Sequence, residues 1–242
     1  MFPIRDHNPS GRVPYVTYAL LVANIAIFVF YWLSLQSDYA LAVFYYTWGL
    51  VPAQFMQGQG YGGLLTHMFL HGGWMHLAGN MLFLWIFGDN LEDQLGHVRY
   101  LLFYLACGLA AAALQIAGDP WFDGPLIGAS GAIAGVLGGY LMLFPRAKVD
   151  VLFIFVIFFR VFSIPAWIVL GVWFAIQSFN GYAATADGVA YLAHIGGFIA
   201  GAVLVLPVLI RRRLWAQNDG KPPHPAAEYP ISQSRIPRVP RR

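Results

Sequence analysis

Residues 128–144 read Gly-Ala-Ser-Gly-Ala-Ile-Ala-Gly-Val-Leu-Gly-Gly-Tyr-Leu-Met-Leu-Phe, an apolar run interrupted by a single hydroxyl, Ser130. Its length approaches the roughly 18–20 residues a helix needs to cross a bilayer. Stretches of the same character recur along the chain, too many for one signal peptide and too long for buried strands. The composition agrees: 59% of the 242 residues are hydrophobic and 10% charged, with a mean hydropathy of +0.61. A soluble domain carries about 25% charged residues. The chain therefore reads as an integral membrane protein built from helices, since helices satisfy their own backbone in lipid.

Six spans are predicted: Val13 to Leu35, Trp74 to Phe87, Tyr100 to Ala117, Gly128 to Phe144, Val161 to Phe179, and Gly188 to Ile210. The fold class is all-α, a polytopic six-helix membrane bundle. Residues 149–159 are also apolar, but one helix from there to Phe179 would be about 46 Å long, more than a bilayer core of about 30 Å. That stretch is read as an interfacial segment, with Arg160 at the membrane surface and Pro165 in the first turn of span five. The domain organisation is a cytoplasmic N-terminal segment (1–12), a membrane domain (13–210) and a basic, Pro-rich tail (211–242) read as disordered.

Charge sets the orientation. All 14 basic residues fall in the N-terminus (Arg5, Arg12), the second connection (Arg99), the fourth (Arg146, Lys148, Arg160) and the tail. The first, third and fifth connections hold only acids: Asp38, Asp119, Asp123 and Asp187. The positive-inside rule then places both termini in the cytoplasm. The tail's basic residues either rest on anionic membrane lipids or serve only to retain topology. Cys107 is the lone cysteine, so no intramolecular disulfide forms.

On this topology spans two, four and six all run from outside to inside. Ser130 then sits about 21 Å, and His194 about 24 Å, above the inner face at 1.5 Å per residue. On span two, His76 and Asn80 lie about 16 and 10 Å up. Three segments bring polar side chains to overlapping depths. Spans two and four are short, which leaves their outer ends below the surface and suits a water-filled basin. Gly197 and Gly201 on span six, and Gly131, Gly135, Gly138 and Gly139 on span four, make faces on which helices approach closely. Such an approach would bring the Ser130 hydroxyl to the His194 ring.

Each residue also has a plainer reading. A serine in a span commonly bonds to a backbone carbonyl, and His76 with Asn80, spaced i, i+4 on one face, could join span two to a neighbour. His194 is harder to explain that way, because ionisable groups within spans are costly. His76 and Asn80 can both donate to a developing oxyanion, and the Ser130 N–H at a helix start adds a third donor. His67 and His71 are another i, i+4 pair, read as lining or hydrogen-bonding a wet outer entrance. No acidic or thiolate third ligand accompanies them, and no H-E-x-x-H occurs, so no metal and no cofactor are expected.

These residues resemble the rhomboid intramembrane serine proteases. Gly128-Ala129-Ser130-Gly131 is similar to the family's G-x-S-G motif, Ala193-His194-Ile195-Gly196-Gly197 to its last-helix histidine motif, and His76-Leu77-Ala78-Gly79-Asn80 to its H-x-x-x-N motif. The resemblance covers about residues 13–210. It implies Ser130 as nucleophile, His194 as general base, and His76 and Asn80 as oxyanion-stabilising groups. It also implies transmembrane protein substrates, no nucleic-acid partner, gating by span five, and residence in a bacterial inner membrane with the site opening outward. Two departures stand out: the tyrosine many bacterial relatives carry four residues after the serine is here Ala134, so another group must orient His194. The first loop also lacks the Trp-Arg pair of some relatives. Two other classes compete: a catalytically inactive rhomboid-like protein that binds clients, and a transporter with a histidine path. Inactive relatives lack the serine or the histidine, and a transporter would be expected to show paired intramembrane acids.

Overall fold

The computed structural model describes residues 2–155, 158–183 and 189–219. The chain divides into two compact units, Met1–Leu206 and Pro207–Arg242. Of the second, helix α10 (Leu206–Asp219) is described. The expectation of a disordered tail falls, from residue 220 onward, outside the described residues.

The first unit is mostly helical. Helix α1 (Tyr15–Ser34) is followed by three short helices, α2 (Asp38–Trp48), α3 (Pro52–Met56) and α4 (Gly63–Thr66), and a 3₁₀ turn at His67–Phe69. Then come α5 (Trp74–Leu95), α6 (His97–Gly118), α7 (Ser130–Leu143), α8 (Ala166–Tyr182) and α9 (Tyr191–Leu204). Among the described residues, Tyr15–Ser34, His97–Gly118 and Tyr191–Arg212 are long and apolar enough to cross a membrane, and Ser130–Leu143 is a shorter apolar helix. The chain is an integral membrane protein.

Helix α7 lies at the centre, packed against α5, α6, α8 and α9, with every residue from Gly131 to Tyr140 buried. Its glycines permit this. A Cβ at Gly197 would be driven into the carbonyl oxygen of Gly131, and one at Gly201 into that of Gly135. The small-residue faces thus let the α7 and α9 backbones touch.

The all-α expectation needs correction, because a three-stranded antiparallel sheet is present. Strand β1 (Phe2–Asp6) pairs with β2 (Lys148–Phe155), which pairs with β3 (Phe158–Pro165). The described residues of 149–159 and the start of the expected fifth span are therefore two paired strands, rich in the β-branched and aromatic residues that favour strands. Pro165 ends β3 at the N-cap of α8 and has no N–H to give a continuing ladder. The N-terminal segment (1–12) supplies β1, one edge of the sheet. Asp150 holds the sheet together: Arg5 donates to it at 2.9 Å, His7 Nε2 at 2.8 Å, and the Ser163 hydroxyl also donates. Those three donors hold the Asp150 carboxyl down at about 2.

Two further polar clusters tie the N-terminal region to the helices. Glu92 on α5, fully buried, accepts from the backbone N–H groups of Val16 and Thr17 at 2.8 Å each, from the Thr17 hydroxyl at 2.7 Å and from His97 Nδ1 at 2.6 Å. Helix α1 has no side-chain cap of its own. The carboxylate satisfies its free N–H groups and complements its positive end. Asp6 accepts from the Tyr140 hydroxyl on α7 at 2.7 Å and from Asn90 on α5 at 3.0 Å. Desolvation, reinforced by Asp89, raises the Asp6 carboxyl to about 6.

Candidate active site

Ser130 is the first residue of α7, preceded by Gly128 at φ +133°, a conformation that favours glycine. The Gly128 N–H donates to the His67 carbonyl at 2.9 Å, which anchors the turn to the segment before α5. His67 Nδ1 in turn donates to the Gly63 carbonyl at 2.7 Å. The tight turn presents the Ser130 side chain at the head of a buried helix. At 1.5 Å per residue the 14 residues of α7 span only about 21 Å, shorter than a bilayer core of about 30 Å.

His194 sits in the first turn of α9. The Ala193 N–H, one of the unpaired donors of that turn, is satisfied by Gln115 Oε1 of α6 at 3.1 Å. The imidazole spans two neighbours: Nε2 is 2.8 Å from Ser130 Oγ, and Nδ1 is 2.8 Å from Gln177 Oε1 on α8. An amide oxygen can only accept, so Nδ1 carries the proton. Nε2 then holds the lone pair toward the Ser130 hydroxyl. Trp173 of α8 lies beside the ring, with centroids 5.9 Å apart and planes tilted 34°, and Tyr191 approaches edge-on at 6.3 Å.

His76 faces the same turn from α5. The Gly72 N–H points at His76 Nδ1 at 3.3 Å, which makes Nδ1 an acceptor and leaves the proton on Nε2. A Cβ at Gly128 would lie 2.9 Å from that Nε2 and 3.4 Å from Ser130 Oγ. The missing side chain of Gly128 thus leaves a gap with a hydrogen-bond donor on one side and the hydroxyl on the other. Asn80, one turn further along the same face of α5, is buried, and its Nδ2 has no hydrogen-bond partner among the described residues.

Ser130, His194 and His76 therefore converge, and Asn80 lies next to them along α5 with a free donor. His67 and His71 are both buried, so the lining role does not hold; His67 instead acts through hydrogen bonds, its carbonyl accepting from the Gly128 N–H and its Nδ1 donating to Gly63. The His71 backbone carbonyl accepts from Tyr31 at 2.6 Å and from Tyr45 at 3.0 Å, and its ring stacks edge-on to His76 at 5.1 Å. The pair shapes the loop that feeds α5. Ala134, where a tyrosine was expected, is fully buried, and α8 occupies the flank of the ring instead. Gln177 and Trp173 were not singled out from sequence. The available signal was a lone amide in an otherwise apolar span, which must find a partner once buried.

A family model described as a Rhomboid domain matches residues 57–211. The chain is 31% identical over 205 residues to Rhomboid protein 1, mitochondrial, of Saccharomyces cerevisiae, covering 78% of this chain and 51% of that protein. It is 37% identical over 145 residues to Rhomboid protease GluP of Bacillus subtilis, covering 60% and 26%. With Rhomboid protease GlpG of Salmonella choleraesuis the identity is 24% over 193 residues, covering 78% and 61%. The alignments thus span 26% to 61% of these relatives' own lengths.

Proposed function

The chain belongs to the rhomboid family, and from that premise we propose that it is an intramembrane serine endopeptidase that cuts other membrane proteins in or beside their transmembrane segments. One observation carries the reading: a serine hydroxyl and a histidine Nε2 from two different apolar helices stand 2.8 Å apart. An ionisable ring within an apolar span is costly to place and points to function.

In the proposed reaction His194 Nε2 takes the proton of Ser130 as Oγ attacks the scissile carbonyl carbon. The carbonyl electrons move onto oxygen, and the oxyanion occupies the gap beside Gly128, where His76 Nε2–H donates to it, with Asn80 Nδ2 and the Ser130 N–H as further donors. The His194 imidazolium then gives its proton to the leaving amine, and the peptide C–N bond breaks. A water enters, His194 takes its proton, and attack on the acyl ester returns Ser130 as the alcohol. The proposed dyad uses no carboxylate: Asp119 and Asp123 lie in the connection before α7, and Asp187 falls outside the described residues.

For topology, α5, α7 and α8 are three further spans beside the three long helices, giving six with both termini cytoplasmic. The segregation of basic residues supports this. The paired strands β2 and β3 then lie on the cytoplasmic side with Arg146 and Lys148, and Ser130 faces the outer half. Membrane lipids and the transmembrane segments of client proteins are the partners.

Labelling with a fluorophosphonate tests the reading. The wild type should label, Ser130→Ala should not, and His194→Ala should label far more slowly. Persistent labelling of Ser130→Ala would remove the nucleophile assignment; absence of labelling in the wild type would favour an inactive client-binding relative.

A further inference from the structure

We propose that Gln177 is the positioning residue of the catalytic histidine: by accepting the Nδ1 proton it fixes the ring orientation and tautomer of His194 that leave Nε2 free for Ser130. The assignment rests on the reading of Ser130 and His194 given above.

A neutral imidazole has one proton for two nitrogens, and only one tautomer can act as base toward Ser130. With the proton on Nε2 the ring would donate to the hydroxyl oxygen and take nothing from it. The 2.8 Å contact of Nδ1 with Gln177 Oε1 selects the productive form, the task a carboxylate performs in soluble serine-protease triads. Gln177 is itself buried, at 8% exposure, so its carbonyl faces the ring without competition from bulk water. An amide suits this depth, where a buried carboxylate would carry a large desolvation cost.

The contact also accounts for Ala134. With no ring on α7 to brace the imidazole, the bracing comes from α8. Gln177 fixes Nδ1, and Trp173, one turn earlier on the same helix face, lies against the ring. Both restraints belong to one helix, so His194 is held ready only while α8 is seated against α9. Among the described residues, the titratable groups around the ring are His76 from α5 and Tyr191 from α9. Ser130 from α7 and Gln177 and Trp173 from α8 carry no charge.

The test compares wild type, Gln177→Leu and Gln177→Glu for the rate of fluorophosphonate labelling as a function of pH, with thermal unfolding and the ¹⁵N shifts of the His194 ring as parallel readouts. Gln177→Leu should label about 10–100-fold more slowly, the size of loss seen when the partner orienting a metal-bound histidine is removed, and its Nδ1 resonance should lose the protonated signature. Gln177→Glu restores an acceptor and adds a charge that favours imidazolium. It should label faster than Gln177→Leu, with the acidic limb of its rate profile displaced to higher pH. A merely structural glutamine would move unfolding but neither the limb nor the tautomer. The proposal is overturned if Gln177→Leu labels at the wild-type rate with Nδ1 still protonated. If Gln177→Leu does not fold, it is overturned by a Gln177→Glu profile that superimposes on the wild type. Labelling that survives Ser130→Ala refutes the nucleophile; labelling lost in Ser130→Ala but unchanged in Gln177→Leu refutes Gln177 alone.

Discussion

Replacing Gly128 by alanine puts a methyl group where the proposed oxyanion must form. The new Cβ would stand 2.9 Å from His76 Nε2, 3.0 Å from His76 Cε1 and 3.4 Å from Ser130 Oγ. Ordinary non-bonded contacts with carbon begin near 3.5 Å, so the imidazole must retreat by about half an ångström. The backbone is also penalised: holding a non-glycine residue at φ +133° costs about 1–3 kcal/mol. The two effects separate in an experiment. Strain lowers the unfolding midpoint, whereas blocking the gap and displacing the His76 donor lowers the rate of a fully folded enzyme by about 10²-fold or more, the usual value of one oxyanion donor. The assay is the initial rate of fluorophosphonate labelling in detergent, well below the unfolding midpoint of the variant. Gly79→Ala is the control, because a Cβ there meets nothing within 4 Å and alanine is the better helix former. A Gly128→Ala enzyme that labels at the wild-type rate would refute the placement of the oxyanion beside Gly128.

Other substitutions probe different parts of the account. Asn80→Ala should lower turnover by about 10²-fold with no loss in unfolding midpoint, since its Nδ2 has no partner to lose among the described residues; unchanged turnover would return Asn80 to packing. Glu92→Ala strands the Val16 and Thr17 N–H groups and should destabilise by about 2–5 kcal/mol, read by thermal unfolding, and a neutral effect would remove the carboxylate as the cap of α1. For pH, Asp6 is raised from 3.8 to about 6 in the folded protein, so the folded state binds the extra proton. Its contribution to stability is present below about pH 4 and is lost as pH rises through about 6. Asp150, held near 2, acts with the opposite sign in a lower window, losing its contribution as pH falls below about 4. Asp6→Asn should flatten the midpoint-against-pH curve between about pH 4 and 6, and an unaltered slope would show that Asp6 is not the group responsible.

How far the sequence disclosed this arrangement depended on the range of the interactions. Ser130 and His194 were legible because a hydroxyl between glycines and an ionisable ring in apolar spans each invite explanation, and the glycine faces of α7 and α9 showed how they could meet. The length of residues 149–179 correctly argued against a single helix. The strands themselves were hidden: after Asp150, residues 151–159 are uniformly apolar, so no alternating pattern marks a sheet, and the partner strand lies about 145 residues away, at Arg5 beside Asp150. Glu92 capping α1 across 75 residues is likewise a tertiary contact with no local trace. Gln177 was missed because a neutral amide draws less notice than a charge, and its meaning appears only when α8 is laid against α9.

The most direct measurement is cleavage of a single-span membrane protein co-reconstituted with the enzyme in lipid vesicles, comparing wild type, Ser130→Ala and His194→Ala at equal folded concentration. The account predicts release of a soluble fragment by the wild type and none above background by Ser130→Ala or His194→Ala, with unfolding midpoints retained. Cleavage at the wild-type rate by either variant would contradict it.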